Sequence, residues 1–145
     1  MKDTTQPVTI GRTEEIYLPG YIDQAVIAKV DTGADVSSIW ASGIHKLQNK
    51  LEFRLFAPGS PYYTGTVITL PRGEYSLKII TNSFGQRESR YSVKLRIKLA
   101  GRTVRASFTL ADRSQMAYPI LLGKRLLRGK FVVDVSRGAG LSAGQ

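Results

Sequence analysis

The chain has 145 residues, 42% of them hydrophobic, which suffices for one cored domain and is short for two of ordinary size. It holds no cysteine and no uncharged apolar run long enough to cross a bilayer as a helix, so disulfides, thiolate nucleophiles and cysteine-bound zinc are excluded and a soluble protein is expected. The net charge of +10 is confined to one part: residues 1–85 hold eight Lys/Arg and eight Asp/Glu, whereas residues 86–145 hold thirteen against three, Glu88, Asp112 and Asp134. Such a field attracts acidic partners or serves only as a solvated surface.

Residues 1–7 are polar and lack the apolar core of a signal peptide, so a cytoplasmic location is favoured, although a chain exported and trimmed of its signal would read the same. Residues 8–10 and 15–18 read as short strands around a polar turn, and Pro19-Gly20 ends the second. Residues 25–30 are apolar enough for a strand buried on both faces, and they run directly into Asp31-Thr32-Gly33-Ala34. Residues 51–71, with Pro58, Gly59, Pro61, Gly65 and Pro71, read as a loop-rich excursion from the core. Residues 75–80 and 91–99 form a predicted hairpin across the turn-rich segment 81–85. In the second arm Tyr91, Val93, Leu95, Ile97 and Leu99 alternate with Ser92, Lys94, Arg96 and Lys98, the period of a half-buried strand. Ala100-Gly101-Arg102 turns the chain back into a strand at 103–110. The apolar run 118–123 precedes a short helix at 124–127, and 130–135 forms a closing strand. Many short strands with at most one short helix predict an all-β barrel or sandwich, a single domain over residues 8–137 with flexible ends at 1–7 and 138–145.

The sharpest chemical signal is Val30-Asp31-Thr32-Gly33-Ala34-Asp35, an apolar strand ending in a carboxylate, a hydroxyl and a glycine. A carboxyl at the mouth of an apolar site can activate water when a second carboxyl shares its proton, because two like charges in contact cannot both ionise. Gly33 lets the backbone approach Asp31 closely, and Thr32 offers a hydroxyl. Alone the tripeptide is a weak signal, and a plain strand-ending turn explains it equally well.

With Ala34 and the later Ile120-Leu121-Leu122-Gly123, these residues resemble the retropepsin family of aspartic proteases. More closely, the chain is similar to the bacterial retropepsin-like group labelled ATP-dependent zinc proteases and associated with ATP-grasp glutamate ligases. The likeness runs over residues 10–137, through Gly11-Arg12, residues 28–34, Ser83-Phe84-Gly85 with Glu88 and Arg90, residues 110–116, Pro119 to Gly123 and Phe131-Val132-Val133-Asp134. It implies a retropepsin-like barrel, closed or partly open, with Asp31, Thr32 and Gly33 as the catalytic loop. It also implies a substrate site of Ala34, Asp35, Leu122, Gly123 and Lys124, in which Lys124 is the cation that pairs with Asp35. The 75–99 hairpin would be the flap, with Ser83, Phe84 and Gly85 at its tip. One Asp-Thr-Gly per chain requires a homodimer.

Zinc and ATP have no support in the residues. His45 is the single histidine, read as a loop residue, and no Gly-x-x-x-x-Gly-Lys-Ser/Thr phosphate loop occurs, so no cofactor is expected. Related proteins are thought to cleave poly-glutamate, and Lys94, Arg96 and Lys98, spaced about 7 Å apart on one strand face, or Arg87, Arg90, Arg102 and Arg105 near them, could select such a substrate. A solvated strand face accounts for the same row. A catalytically silent peptide-binding module and a nucleic-acid-binding barrel remain open, though the latter lacks an aromatic stacking platform.

Overall fold

The computed structural model describes residues 6–82 and 84–138; the segments 1–5 and 139–145, expected to be flexible, and Ser83 lie outside the described residues. Eleven strands and one helical turn account for the regular structure: β1 (Val8–Ile10), β2 (Thr13–Tyr17), β3 (Val26–Val30), β4 (Ser37–Leu47), β5 (Lys50–Leu55), β6 (Ile68–Pro71), β7 (Tyr75–Thr81), β8 (Arg87–Leu99), β9 (Arg102–Ala111), β10 (Ile120–Leu122), α1 (Lys124–Leu127) and β11 (Phe131–Val133). Hydrogen-bonded neighbours run β10-β3-β2-β8-β9-β4, and β4 pairs with β10 again, so six strands close into a barrel.

Closure follows from the alternation of the strands. Val93, Leu95, Ile97 and Leu99 of β8 are buried while Lys94, Arg96 and Lys98 are exposed. Ile16, Val26, Ala28, Ile39, Phe108 and Ile120 reach the same interior, where each large apolar side chain contributes about 1.5–3 kcal/mol. The short β10 is inserted between β3, to which it is parallel, and β4, to which it is antiparallel. That insertion brings residues 31–37 against residues 122–125. Strands β1 and β11 form a separate parallel pair outside the barrel.

Two expectations need correction. The segment 51–71 is not wholly a loop: β5 and β6 lie at its ends and continue the sheet from β4, so only 56–67 is irregular. Its buried Leu51, Phe53 and Leu55 supply the strand face that the prolines and glycines obscured. Strand β4 was not predicted at all. The unalternating run Ser37 to Ala41, with Ile39, Trp40 and Ala41 consecutive, and the register shift between Ser42 and His45, where Gly43 takes φ of 59°, break the alternation that marks a strand. His45 accordingly lies on β4, not in a loop.

Candidate active site

Strand β3 delivers Asp31 to the end of the barrel, where its N–H donates to the Leu122 carbonyl at 2.9 Å. The turn that follows is tight: the Ala34 N–H donates to the Asp31 carbonyl at 3.2 Å, and the Gly33 N–H donates to Asp31 Oδ1 at 2.9 Å. One carboxylate oxygen is thereby fixed by a backbone donor. Thr32 is exposed and Asp31 partly so, leaving the acid accessible.

The β10–α1 junction holds this loop from beneath. Gly123 donates its N–H to Ser37 Oγ at 3.0 Å, Lys124 donates to the Ala34 carbonyl at 2.7 Å, and Arg125 donates to the Asp35 carbonyl at 3.2 Å. No side chain fits at Gly123, because an added Cβ would stand 2.6 Å from the Val36 carbonyl oxygen and 2.9 Å from that of Ala34. The two segments linked by resemblance are thus in backbone contact. The partner of Asp35, however, is Arg125 and not Lys124: Arg125 Nη2 lies 3.3 Å from Asp35 Oδ2. Lys124 is the first residue of α1, and the next position carries the guanidinium that reaches the carboxylate.

A cleft of about 780 Å³ opens between this loop and the β7–β8 hairpin. Gly33, Ala34 and Asp35 line one side, and Lys78, Ile79 and Asn82 of the hairpin line the other. The hairpin tip is tied by Asn82, whose Oδ1 accepts from the Phe84 and Gln86 N–H groups at 2.9 and 3.0 Å. Phe84 is 87% exposed, and neither Phe84 nor Gly85 lines the cleft. Ser83 lies outside the described residues. Leu122 is buried in the core and meets the site through its carbonyl.

Sequence reasoning missed four polar residues of the cleft, Ser38, Lys78, Arg113 and Arg125. Arg113 is the one charged side chain among the buried described residues, and its Nε donates to the Tyr118 carbonyl at 3.0 Å. Burial, then the charge of Arg90, pulls Arg113 below the ordinary arginine value, while the charge of Asp31 pulls it up. Ser38 Oγ is buried with no hydrogen-bond partner and also lines the cleft. Lys78 and Arg125 complete a wall of cations with Arg90 and Arg113, against which Asp35 is the one carboxylate. Arg113 stood within the 110–116 segment that carried the resemblance, yet nothing in its spacing assigned it a role. Arg102, grouped with the possible substrate-selecting cations, is engaged elsewhere: it stacks 5.6 Å over the Phe131 ring and donates to the Lys130 carbonyl at 2.8 Å.

A zinc site does not fit these residues. His45 lies 3.1 Å from Glu52 across the β4–β5 pair, and among the described residues no three His, Cys, Asp or Glu side chains cluster.

A Legionella pneumophila protein of unknown function, Lpg0085, superposes with a TM-score of 0.67 at 24% identity over 92% of this chain and 97% of that one, a likeness of fold. Four proteins named probable alpha-L-glutamate ligase match in sequence. That of Desulfotalea psychrophila is 30% identical over 86% of this chain and 27% of its own length, and that of Shewanella pealeana 32% over 88% and 28%. The chain spans little more than a quarter of these relatives. A family match runs over residues 9–139, and the chain belongs to the RimB-like family, described as retropepsin-like aspartic endopeptidase RimB.

Proposed function

We propose that two copies of this chain form an aspartic-type peptide hydrolase, each contributing Asp31 to a shared dyad. The observation that carries this reading is the Asp31 loop itself, a partly exposed carboxylate with one oxygen fixed by the Gly33 N–H, in a loop whose next residues, Gly33, Ala34 and Asp35, line the cleft. The chain has a single Asp-Thr-Gly. The second acid therefore comes from a second copy.

Apolar surface around the loop supports the assembly. Thr32 and Val133 line hollows on both sides of it, one with Val30, Tyr118 and Val135, the other with Leu127 and Phe131. Val132 and Val135 are 52% and 69% exposed. In the dimer the two carboxyls hold one proton between them and one water. The ionised carboxylate removes a proton from the water as its oxygen attacks the peptide carbonyl, and the protonated one delivers its proton to the carbonyl oxygen. Collapse of the tetrahedral adduct then breaks the C–N bond: the nitrogen takes the proton first removed from the water, and one hydroxyl of the adduct returns its proton to the second carboxylate, which restores the singly protonated dyad. The β7–β8 hairpin closes over the substrate and excludes solvent.

Four cations, Lys78, Arg90, Arg113 and Arg125, favour peptides with acidic side chains, poly-glutamate included. Purified protein incubated with poly-glutamate and with a mixed peptide library between pH 4 and 8 should release fragments, and Asp31→Asn should lower kcat by a factor of about a thousand or more. Equal fragment release by Asp31→Asn ends the reading. A second reading, a catalytically silent module that binds acidic peptide, is favoured by the relatives whose printed name is ligase. It predicts binding without fragments from the wild-type chain.

A further inference from the structure

The floor of the cleft continues beyond the cleft. Successive rows across β9 and β8 pair Thr109 with Ser92, Ser107 with Lys94, Arg105 with Arg96 and Thr103 with Lys98, all on the face turned away from the barrel interior. The first row lies in the cleft. A hollow of about 570 Å³ adjoins it, and the two share Lys78, Ser92 and Ser107 as lining before the hollow passes on to Lys94 and Arg105. From Ser92 to Lys98 is six residues of strand, about 20 Å at 3.4 Å per residue.

The charges on this face are unusual in being unopposed. Arg96 and Arg105 stand directly across from one another, an arrangement that destabilises a sheet, and the four rows contain no carboxylate. None of Lys94, Arg96, Lys98 and Arg105 makes an ion pair among the described residues, whereas Arg90 pairs with Glu88 at 2.9 Å and Arg125 with Asp35. The one carboxylate lining the adjoining hollow is Glu74, in the β6–β7 turn.

We infer that the outward face of the β8–β9 hairpin is an exosite that holds an acidic polypeptide several residues away from the bond cut in the cleft. Its part in cleavage rests on the hydrolase reading above; its binding does not. An extended peptide repeats its side chains at the spacing of the rows, so alternate carboxylates meet successive cations. Tyr17, opposite Lys98 at the far end, is the exposed aromatic of this face, too little for stacking a run of bases. Peptides of about four residues fill the cleft without reaching Arg96, whereas those of about twelve span the whole track.

The test uses the Asp31→Asn protein, which leaves the ligand intact, with fluorescein-labelled peptides of four and twelve glutamates followed by fluorescence anisotropy at low salt. Combined Lys94→Glu, Arg96→Glu and Arg105→Glu should raise Kd for the longer peptide about tenfold or more while that for the shorter changes less than about twofold. The milder pair Arg96→Gln with Arg105→Gln should raise the longer peptide's Kd about threefold, and Arg96→Lys with Arg105→Lys should leave it unchanged. Unchanged affinity for the longer peptide in the first two variants overturns the exosite. So does a twelve-nucleotide oligothymidylate that displaces the peptide at lower concentration, which marks the face as a nucleic-acid surface. Because binding is read without cleavage, a wild-type chain that cuts nothing leaves the exosite standing. Loss of the exosite leaves cleavage of the four-residue peptide intact.

Discussion

Asp35 shows how one position of offset changes a site's chemistry. An ammonium at Lys124 would be a point charge, whereas the Arg125 guanidinium presents a planar fork suited to a carboxylate. Both side chains of the pair are well exposed, 70% and 59%, so its value to stability is below about 1 kcal/mol. Arg125→Met should raise KM for a peptide substrate several-fold with little change in thermal midpoint, and Lys124→Met should change neither as much; equal effects from the two variants assign the pairing wrongly. Three carboxylates set the acid response. Hydrogen bonds from Arg90, Ser114 and Ser136 hold Glu88, Asp112 and Asp134, respectively, below the ordinary carboxylate range. A depressed folded value contributes stability above the unfolded value near pH 4, and that stability disappears as pH falls through the folded value. Thermal midpoints should therefore drop on acidification below about pH 4, and Asp112→Asn combined with Asp134→Asn should flatten that drop. An unchanged slope would remove these two groups from the account.

Strand β7 pairs with β8 alone, and Leu77 and Ile79 remain 57% and 54% exposed. An element with one neighbour and little buried apolar surface opens more readily than the barrel it leans on. Amides of β7 should exchange with solvent well before those of β3 and β10, which lie inside the closed ring. A bound acidic peptide should slow β7 exchange if the hairpin closes over it; equal exchange in the free and bound protein removes its role as a flap. The alternation of β8 made this hairpin legible in the sequence, whereas β4 remained hidden. A strand whose apolar residues Ile39, Trp40 and Ala41 are consecutive and whose register breaks at a bulge carries no periodic signal, although its Ile39 and Ala41 are buried and its Ser38 faces the cleft.

For the molecule as a whole, the excess of ten positive charges bears on assembly and on substrate in opposite senses. Copies of the same cationic chain repel, and salt screens that repulsion over about 10 Å at 0.1 M. Added salt should favour the dimer and weaken the hold on acidic peptide. Sedimentation should show the dimer fraction rising with salt at fixed protein concentration, while KM for poly-glutamate rises over the same range. Specific activity should also fall on dilution, and admixture of Asp31→Asn chains should depress it beyond simple dilution. Activity that is proportional to concentration and indifferent to the admixed variant would place a complete site in one chain.

The residue pattern by itself determined the strand-rich all-β architecture, the short turn of helix at 124–127 and the turn at Asp31, because alternation and glycine placement are local properties that survive without coordinates; the barrel and the link from Asp31 to Gly123 came from the resemblance to retropepsins, and the closed sheet and the backbone contacts bear them out. Tertiary structure alone decided that Arg125 takes Asp35, that Arg113 is buried close enough to Asp31 to feel its charge, and that the cationic rows of β8 and β9 run on from the cleft floor. Each of these depends on which distant segments the closing of the sheet brings side by side, a matter of register and crossover that no window of sequence contains.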